Sequence, residues 1–149
     1  MNAIDGPLLG IDHGLVRIGL AISDARGLVA RELMILTRKS KREDFDRINH
    51  VAIEHHVRAL VVGIPLDVER AEQGLYSQAD RVQRWVESLR ETTSLPIVLW
   101  DETLSSSDAK TLARQKRRRV GEPIDDLAAR IMLQSYLDAV HDHLAEPPA

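Results

Sequence analysis

The sequence predicts an α/β domain built on a mixed sheet, and three features carry that expectation. Residues 8–24, LLGIDHGLVRIGLAISD, read as a hairpin: a short apolar strand, a reversal at His13-Gly14-Leu15, then Val16, Ile18, Leu20 and Ile22 alternating with Arg17, Gly19, Ala21 and Ser23. Two continuous apolar runs, RALVVGI at 58–64 and PIVLW at 96–100, have the character of strands buried on both faces. Segments of helical period precede each run, and such alternation makes the strands parallel. A length of 149 residues suits one domain with a real core, and no internal repeat or low-complexity linker divides it.

In chain order, residues 28–36 (LVARELMIL) form a third strand after the turn at Ala25-Arg26-Gly27, which makes the first three strands an antiparallel meander. Residues 37–57 follow, with Phe45, Ile48, Ala52 and Ile53 at helical spacing, so an amphipathic helix covers one sheet face. Beyond the strand at 58–64, residues 65–75 are a charged loop containing Gly74, and 77–89 return to helical period through Val82, Trp85, Val86 and Leu89. The strand at 96–100 runs directly into Asp101-Glu102. Ser105 to Asp108 has the pattern of a capping box and opens a helix that runs into Lys116, Arg117, Arg118 and Arg119. Gly121-Glu122-Pro123 breaks it, 124–144 form a last long helix, and the tail EPPA is expected to fray.

Composition excludes several classes. With 20 basic and 23 acidic side chains the net charge is −3, so any nucleic-acid contact must use a local patch. The absence of cysteine removes disulfides, thiolate zinc and a cysteine nucleophile. No stretch approaches the roughly 18 apolar residues of a membrane span, so a soluble cytoplasmic protein is expected, without a membrane partner. Aromatics make up 3%, too few for a base-stacking platform to be the main binding device. His13, His55 and His56 lack metal-ligand spacing with a third residue and read as surface or turn residues, while Trp85 and Trp100 lie on apolar patterns and read as core.

Three carboxylates stand out: Asp12 at the end of the first strand, Glu102 after the last, and Asp125 opening the last helix. Taken alone, Asp12 could equally cap its own turn, and Asp101-Glu102 could be an exposed strand end. If the strand ends and helix start converge on one sheet edge, where open α/β folds hold ligands, the three acids could bind Mg²⁺. Two such ions about 4 Å apart would activate water and stabilise the leaving oxygen in phosphodiester cleavage. Helical geometry separates Asp125 from its neighbour: at about 100° per residue from Ile124, Asp125 falls within a stripe of Ala128, Met132, Tyr136 and Ala139, and Asp126 falls outside it. The basic run at 116–119 is either a solvated face that suits a helix C-terminus or a phosphate grip.

At these residues the chain resembles the YqgF (RuvX) family, described as Holliday-junction-resolvase-like and as candidate pre-16S rRNA nucleases. The resemblance spans nearly the whole length and rests on GIDHGLVRIGLAISD, VVGIPLD, the DE of DETLSSSDA, and IDDLAARIMLQSYL, in the family's order and spacing. It implies an RNase H-like fold with a mixed five-stranded sheet flanked by helices, forming a single nuclease domain over 1–149. It also implies a site holding Mg²⁺ or Mn²⁺, with Asp12, Glu102 and Asp125 as the catalytic metal ligands. Arg17 and the run Lys116, Arg117, Arg118 and Arg119 are the expected substrate contacts, Gly14 and Val62 to Leu66 match further motif positions, and the substrate is RNA ahead of DNA. The activity implied is cleavage in ribosomal RNA precursors, at the 5′ end of pre-16S rRNA, by a monomer or homodimer.

The chain departs from the family pattern at Leu15 and Val16, which replace threonine and lysine, at Thr103, which replaces an arginine, and at Asp67 and Glu122-Pro123. These changes bear on substrate grip more than on the metal site. Two other nuclease-like readings remain, a branched-DNA resolvase and a weakly catalytic nucleic-acid-binding factor. A sugar kinase or ATPase of the actin-like superfamily shares GIDxG, but such enzymes close two related domains on the nucleotide, and this chain holds one.

Overall fold

The computed structural model describes residues 4–65, 78–102 and 106–149. Five strands, β1 (Leu8–His13), β2 (Arg17–Ser23), β3 (Ala30–Thr37), β4 (Ala59–Ile64) and β5 (Ile97–Asp101), form one sheet in the order β3-β2-β1-β4-β5. β1 pairs antiparallel with β2 and β2 with β3, while β4 runs parallel to both β1 and β5. This is the expected mixed sheet. The helices are α1 (Lys41–Glu54), α2 (Gln78–Arg90), α3 (Ser106–Gln115) and α4 (Asp125–His141).

Alternation along β1 distributes the core over both faces. Leu9 and Ile11 face a cluster that includes Phe45 and Ile48 of α1 and Val82, Trp85, Val86 and Leu89 of α2. Leu8 faces the other cluster, where Met132, Leu133, Tyr136 and Leu137 of α4 close the sheet. β4 is buried throughout, as its unbroken apolar run predicts. The strand at 96–100 behaves differently from its expected double burial: β5 is the sheet edge, half-buried, with Leu99 exposed.

Local chemistry sets the ends. Ser40 caps α1 by accepting from Glu43 N at 3.1 Å, and its hydroxyl donates to Glu43 Oε1 at 3.2 Å, a capping arrangement within the polar start of the predicted helix. α3 stops at Gln115, so the basic run lies on the turn after it. Arg117 adopts φ +58° there, with Arg117 N on Arg114 O and Arg118 N on Ala113 O, a Schellman closure in which arginine stands where glycine is easiest. The tail is packed, in contrast to the frayed expectation: the Tyr136 hydroxyl donates to Glu146 O at 2.6 Å. The loop at 66–75, Asp67, Leu66 of the VGxPL match, Thr103 and the Ser105 cap lie outside the described residues.

Candidate active site

Asp12 lies within β1, one residue before its end, on the face toward α4. Two glycines make the site possible. Gly19 is its register partner on β2, and a Cβ there would collide with the backbone carbonyl of Asp125, so the bare strand admits the first turn of α4 directly against the sheet. On β4, a Cβ at Gly63 would stand 3.2 Å from Glu102 Oε2 and 3.0 Å from Met132 Cγ, so this gap accommodates the Glu102 side chain. Glu102 is itself held by its backbone N–H, which donates to Ile64 O at 2.8 Å. The role of the two glycines escaped the sequence reading, although the small face of β2, Gly19-Ala21-Ser23, was its visible signal.

The electrostatics of this corner are unusual for a folded interior. Burial, then the charge of Glu102, a hydrogen bond with Glu102 and the charge of Asp125 push the Asp12 carboxyl from 3.8 up to about 8. Burial also raises Glu102, against the hydrogen bond from Asp12. Asp125 Oδ2 accepts from Arg17 Nε at 3.1 Å, across a partly exposed ion pair. Arg17 therefore meets an acid of the site. The donors are all hard carboxylate oxygens, which fit Mg²⁺ or Mn²⁺, ions that take one or two carboxylates together with waters and phosphate oxygens. Among the described residues no three His, Asp or Glu groups are gathered tightly enough to enclose an ion as they stand.

A match to the family described as RuvX, Holliday junction resolvase, covers residues 6–139, and so includes all three acids. The chain belongs to the RuvX family. Among its relatives, a protein of Thermoanaerobacter pseudethanolicus described as a candidate pre-16S rRNA nuclease is 39% identical over 136 residues, covering 89% of this chain and 96% of the relative. One of Koribacter versatilis with the same description is 34% identical over 140 residues, covering 92% and 90%. Thermus thermophilus RuvC in complex with a Holliday junction superposes with TM-score 0.60 at 16% identity, covering 96% of this chain and 99% of that one. The fowlpox virus resolvase bound to Holliday junction DNA gives 0.54 at 9% identity, covering 90% and 98%. Both structures share the fold, which is RNase H-like. RuvX membership makes this chain a nuclease, a hydrolase that binds nucleic acid.

Other sequence expectations divide. Asp126 is buried, in contrast to the prediction that it lies off the stripe. The buried arc of α4 also takes in Ala129, Leu133, Leu137 and Val140, and Asp126 falls within this wider face. Its partner is Arg118, whose Nη1 and Nη2 donate to Oδ1 and Oδ2 at 2.5 and 2.8 Å, with a further bond from Nη1 to Pro123 O at 3.0 Å. Lys116 Nζ sits 3.4 Å from Glu32 Oε2. Arg117 and Arg119 are exposed and make no side-chain bond among the described residues. The run thus splits into two anchored cations and two available ones. His13 is not a surface residue: it is 8% exposed, its ring 4.6 Å from that of Trp85, and burial and the Arg38 cation hold its imidazole down to about 4. Trp85 is core as expected, whereas Trp100 is half-buried, donating from Nε1 to Ser135 Oγ at 3.2 Å.

Proposed function

We propose that Asp12, Glu102 and Asp125 form the catalytic centre of a Mg²⁺- or Mn²⁺-dependent nuclease acting on ribosomal RNA precursors. The observation that carries this reading is the pairing of Asp12 and Glu102, two hydrogen-bonded acids brought together in the interior beside the start of α4, a costly arrangement that a divalent cation would relieve. Bound there, the metal would activate water for attack on phosphorus and stabilise the departing oxygen. Asp12 and Glu102 would hold it as carboxylates, in the space that Gly19 and Gly63 leave them. Arg17 orients Asp125 and offers its remaining N–H groups to a substrate phosphate. Arg117 and Arg119, on the turn before α4, supply further backbone contacts, while Arg118 holds Asp126 and Lys116 holds Glu32.

The RNA reading, cleavage at the 5′ end of pre-16S rRNA, follows the descriptions of the relatives, and with it a cytoplasmic role in ribosome biogenesis for a single nuclease domain over 1–149. Among the described residues no helix is long and apolar enough to cross a membrane. The branched-DNA reading is favoured by the family description and would call for a twofold dimer able to cut two strands symmetrically. Cleavage of a labelled pre-16S 5′-leader RNA and of a four-way DNA junction, with Mg²⁺, with Mn²⁺ and with chelator, tests both readings beside a sizing measurement. Metal-dependent cutting of the RNA by a monomer or dimer is expected. Cutting of the junction alone would replace the RNA reading, and full activity in chelator would overturn the metal centre.

A further inference from the structure

The turn that joins β1 to β2 stands between two residues of the candidate site: Asp12 precedes it, and Arg17, which bonds Asp125, follows it. It is tied at every carbonyl. Gly14 N donates to Arg17 O at 2.9 Å, Arg38 Nη1 donates to Gly14 O and Leu15 O at 3.1 and 3.3 Å, and Arg38 N donates to Val16 O at 2.9 Å. A Cβ at Gly14 would collide with Arg17 O, so the reversal is tight as well as tied.

What this fixed turn displays is apolar. Leu15 and Val16 lie beyond the last pair of the hairpin, His13 with Ile18, and belong to neither core cluster. Leu15 touches the rim of the cavity over His13 and Trp85, yet it is 65% exposed, and Val16 is 60% exposed. A single exposed aliphatic residue is ordinary, but two in succession on a turn held at every carbonyl are presented to solvent in a set position. Three residues of chain span at most about 11 Å, so Leu15 is within reach of the nucleotide beside one held at Asp12, and Val16 adjoins Arg17 directly.

The chemistry of the tip selects its occupant. A phosphate at the acids is served by Arg17 and by a cation, whereas aliphatic side chains offer it no donor and would strip its water. The large apolar surfaces of a nucleic acid are the faces of its bases, covered in a continuous stack and bared where a strand is unpaired or bent. Aliphatic wedges are suited to pack there and to hold successive bases apart. With aromatics only 3% of the chain, the turn offers in aliphatic form the surface that a stacking platform would otherwise supply.

We infer that Leu15 and Val16 form a base-contacting wedge, which packs against the face of the nucleobase next to the phosphate held by the carboxylates and favours substrates whose strand is unstacked there. The inference rests on the nuclease reading and deepens it. The acids and their metal serve the reacting phosphate, and the turn selects the strand by its bared bases.

The test compares two single-stranded probes of equal length, an RNA of about 12 nucleotides and the same ribose-phosphate backbone without bases. Binding is measured in chelator between about 50 and 200 mM salt for wild type, the double variant Leu15→Ser with Val16→Ser, and the control Ile53→Ser. Ile53 is 76% exposed and borders Thr92 to Leu95 ahead of β5, at the end of the sheet away from Asp12. Wild type should prefer the RNA to the bare backbone. The double variant should lose about tenfold on the RNA, the scale of partly burying two aliphatic side chains, and nothing on the bare backbone. Its log–log salt slope should match wild type, because no phosphate contact is lost. Ile53→Ser should bind both probes as wild type does, and circular dichroism should be the same for all three, since the turn is held through its backbone. Equal binding of the two probes by wild type, equal losses on both in the double variant, a shallower salt slope or unchanged RNA binding would overturn the wedge and leave the nuclease reading standing. A change of size in solution with base preference intact would make the tip a contact between copies of the chain and would overturn it too. If wild type bound neither the RNA nor a DNA strand of the same length, both readings would fall.

Discussion

Asp12 and Asp126 are packed against the same sheet, and their surroundings are opposite. Asp126 has an arginine: Arg118 meets both its oxygens, ties them to Pro123 O and so secures the turn before α4 to the helix it precedes. Asp12 has another acid, Glu102, with Asp125 adding to the repulsion and Arg17 engaged by Asp125. The first pair satisfies a buried charge and holds the fold together. The second leaves charge unsatisfied unless a proton or a cation is supplied. On the proposed reading one acid is structural and the other functional, and the same substitution at each should therefore have consequences of opposite sign.

The largest effect is expected at Asp12. Asp12→Asn should lower single-turnover cleavage by more than about 100-fold, the scale on which a group bearing directly on the reacting charge is felt, and should raise the melting temperature of the metal-free protein by removing a carboxyl from its acid neighbours. A variant that cleaves normally, or melts lower, would make Asp12 a structural residue like Asp126. Next is Arg118→Ala, which leaves Asp126 buried without its counter-charge and should cost about 3 kcal/mol in denaturant unfolding. Alanine replacement across the whole basic run would thus destabilise the fold as well as weaken binding. A purely solvated run would leave stability unmoved.

The pH dependence sharpens the comparison at a smaller scale. Asp12 binds its proton more tightly folded, at about 8, than unfolded, near 3.8, so it favours the fold fully only below the lower value and withdraws that support as pH rises toward 8. His13, held at about 4 in the fold and ordinary when unfolded, acts in the other direction between about 4 and 6.5. From pH 6.5 to 8 the Asp12–Glu102 pair acts without that opposition. Stability in chelator should therefore fall across this interval, by at most about 1.4 kcal/mol per pH unit for each proton concerned, and Asp12→Asn should flatten the slope. A smaller effect again is expected at Arg117, whose left-handed backbone costs about 1 kcal/mol relative to glycine. Arg117→Gly should stabilise by about that amount in denaturant unfolding, and a loss of stability would show that the arginine side chain supports the turn.

The sheet was legible because its signals are local. Strand period in β2, the unbroken apolar run of β4 and the helical spacing of Phe45, Ile48 and Ala52 each state their element without reference to the rest of the chain. β5 misled because an edge strand and a central strand carry similar apolar residues, and only topology says which neighbour is missing. The site was half legible. Acids at strand ends and at a helix start can be picked out by position, but Gly19 admits Asp125, Gly63 admits Glu102, and Arg118 reaches back to Asp126, all through contacts between elements. Helical angle alone misplaced the two acids, since Asp126 falls on the buried arc of α4 and Asp125 is only half-buried, and the partner each acid finds is what separates them. His13 was misread for a related reason: its neighbour Trp85 is 72 positions away in sequence.

Binding of Mn²⁺, followed by electron paramagnetic resonance at pH 7.5 in wild type, Asp12→Asn and Asp126→Asn, bears most directly on the central claim that the acid pair at the end of β1 is a metal site. Wild type should take up the ion, Asp12→Asn should lose it, and Asp126→Asn, wherever it remains folded, should keep it. Equal uptake by wild type and Asp12→Asn, or loss confined to folded Asp126→Asn, would contradict the assignment.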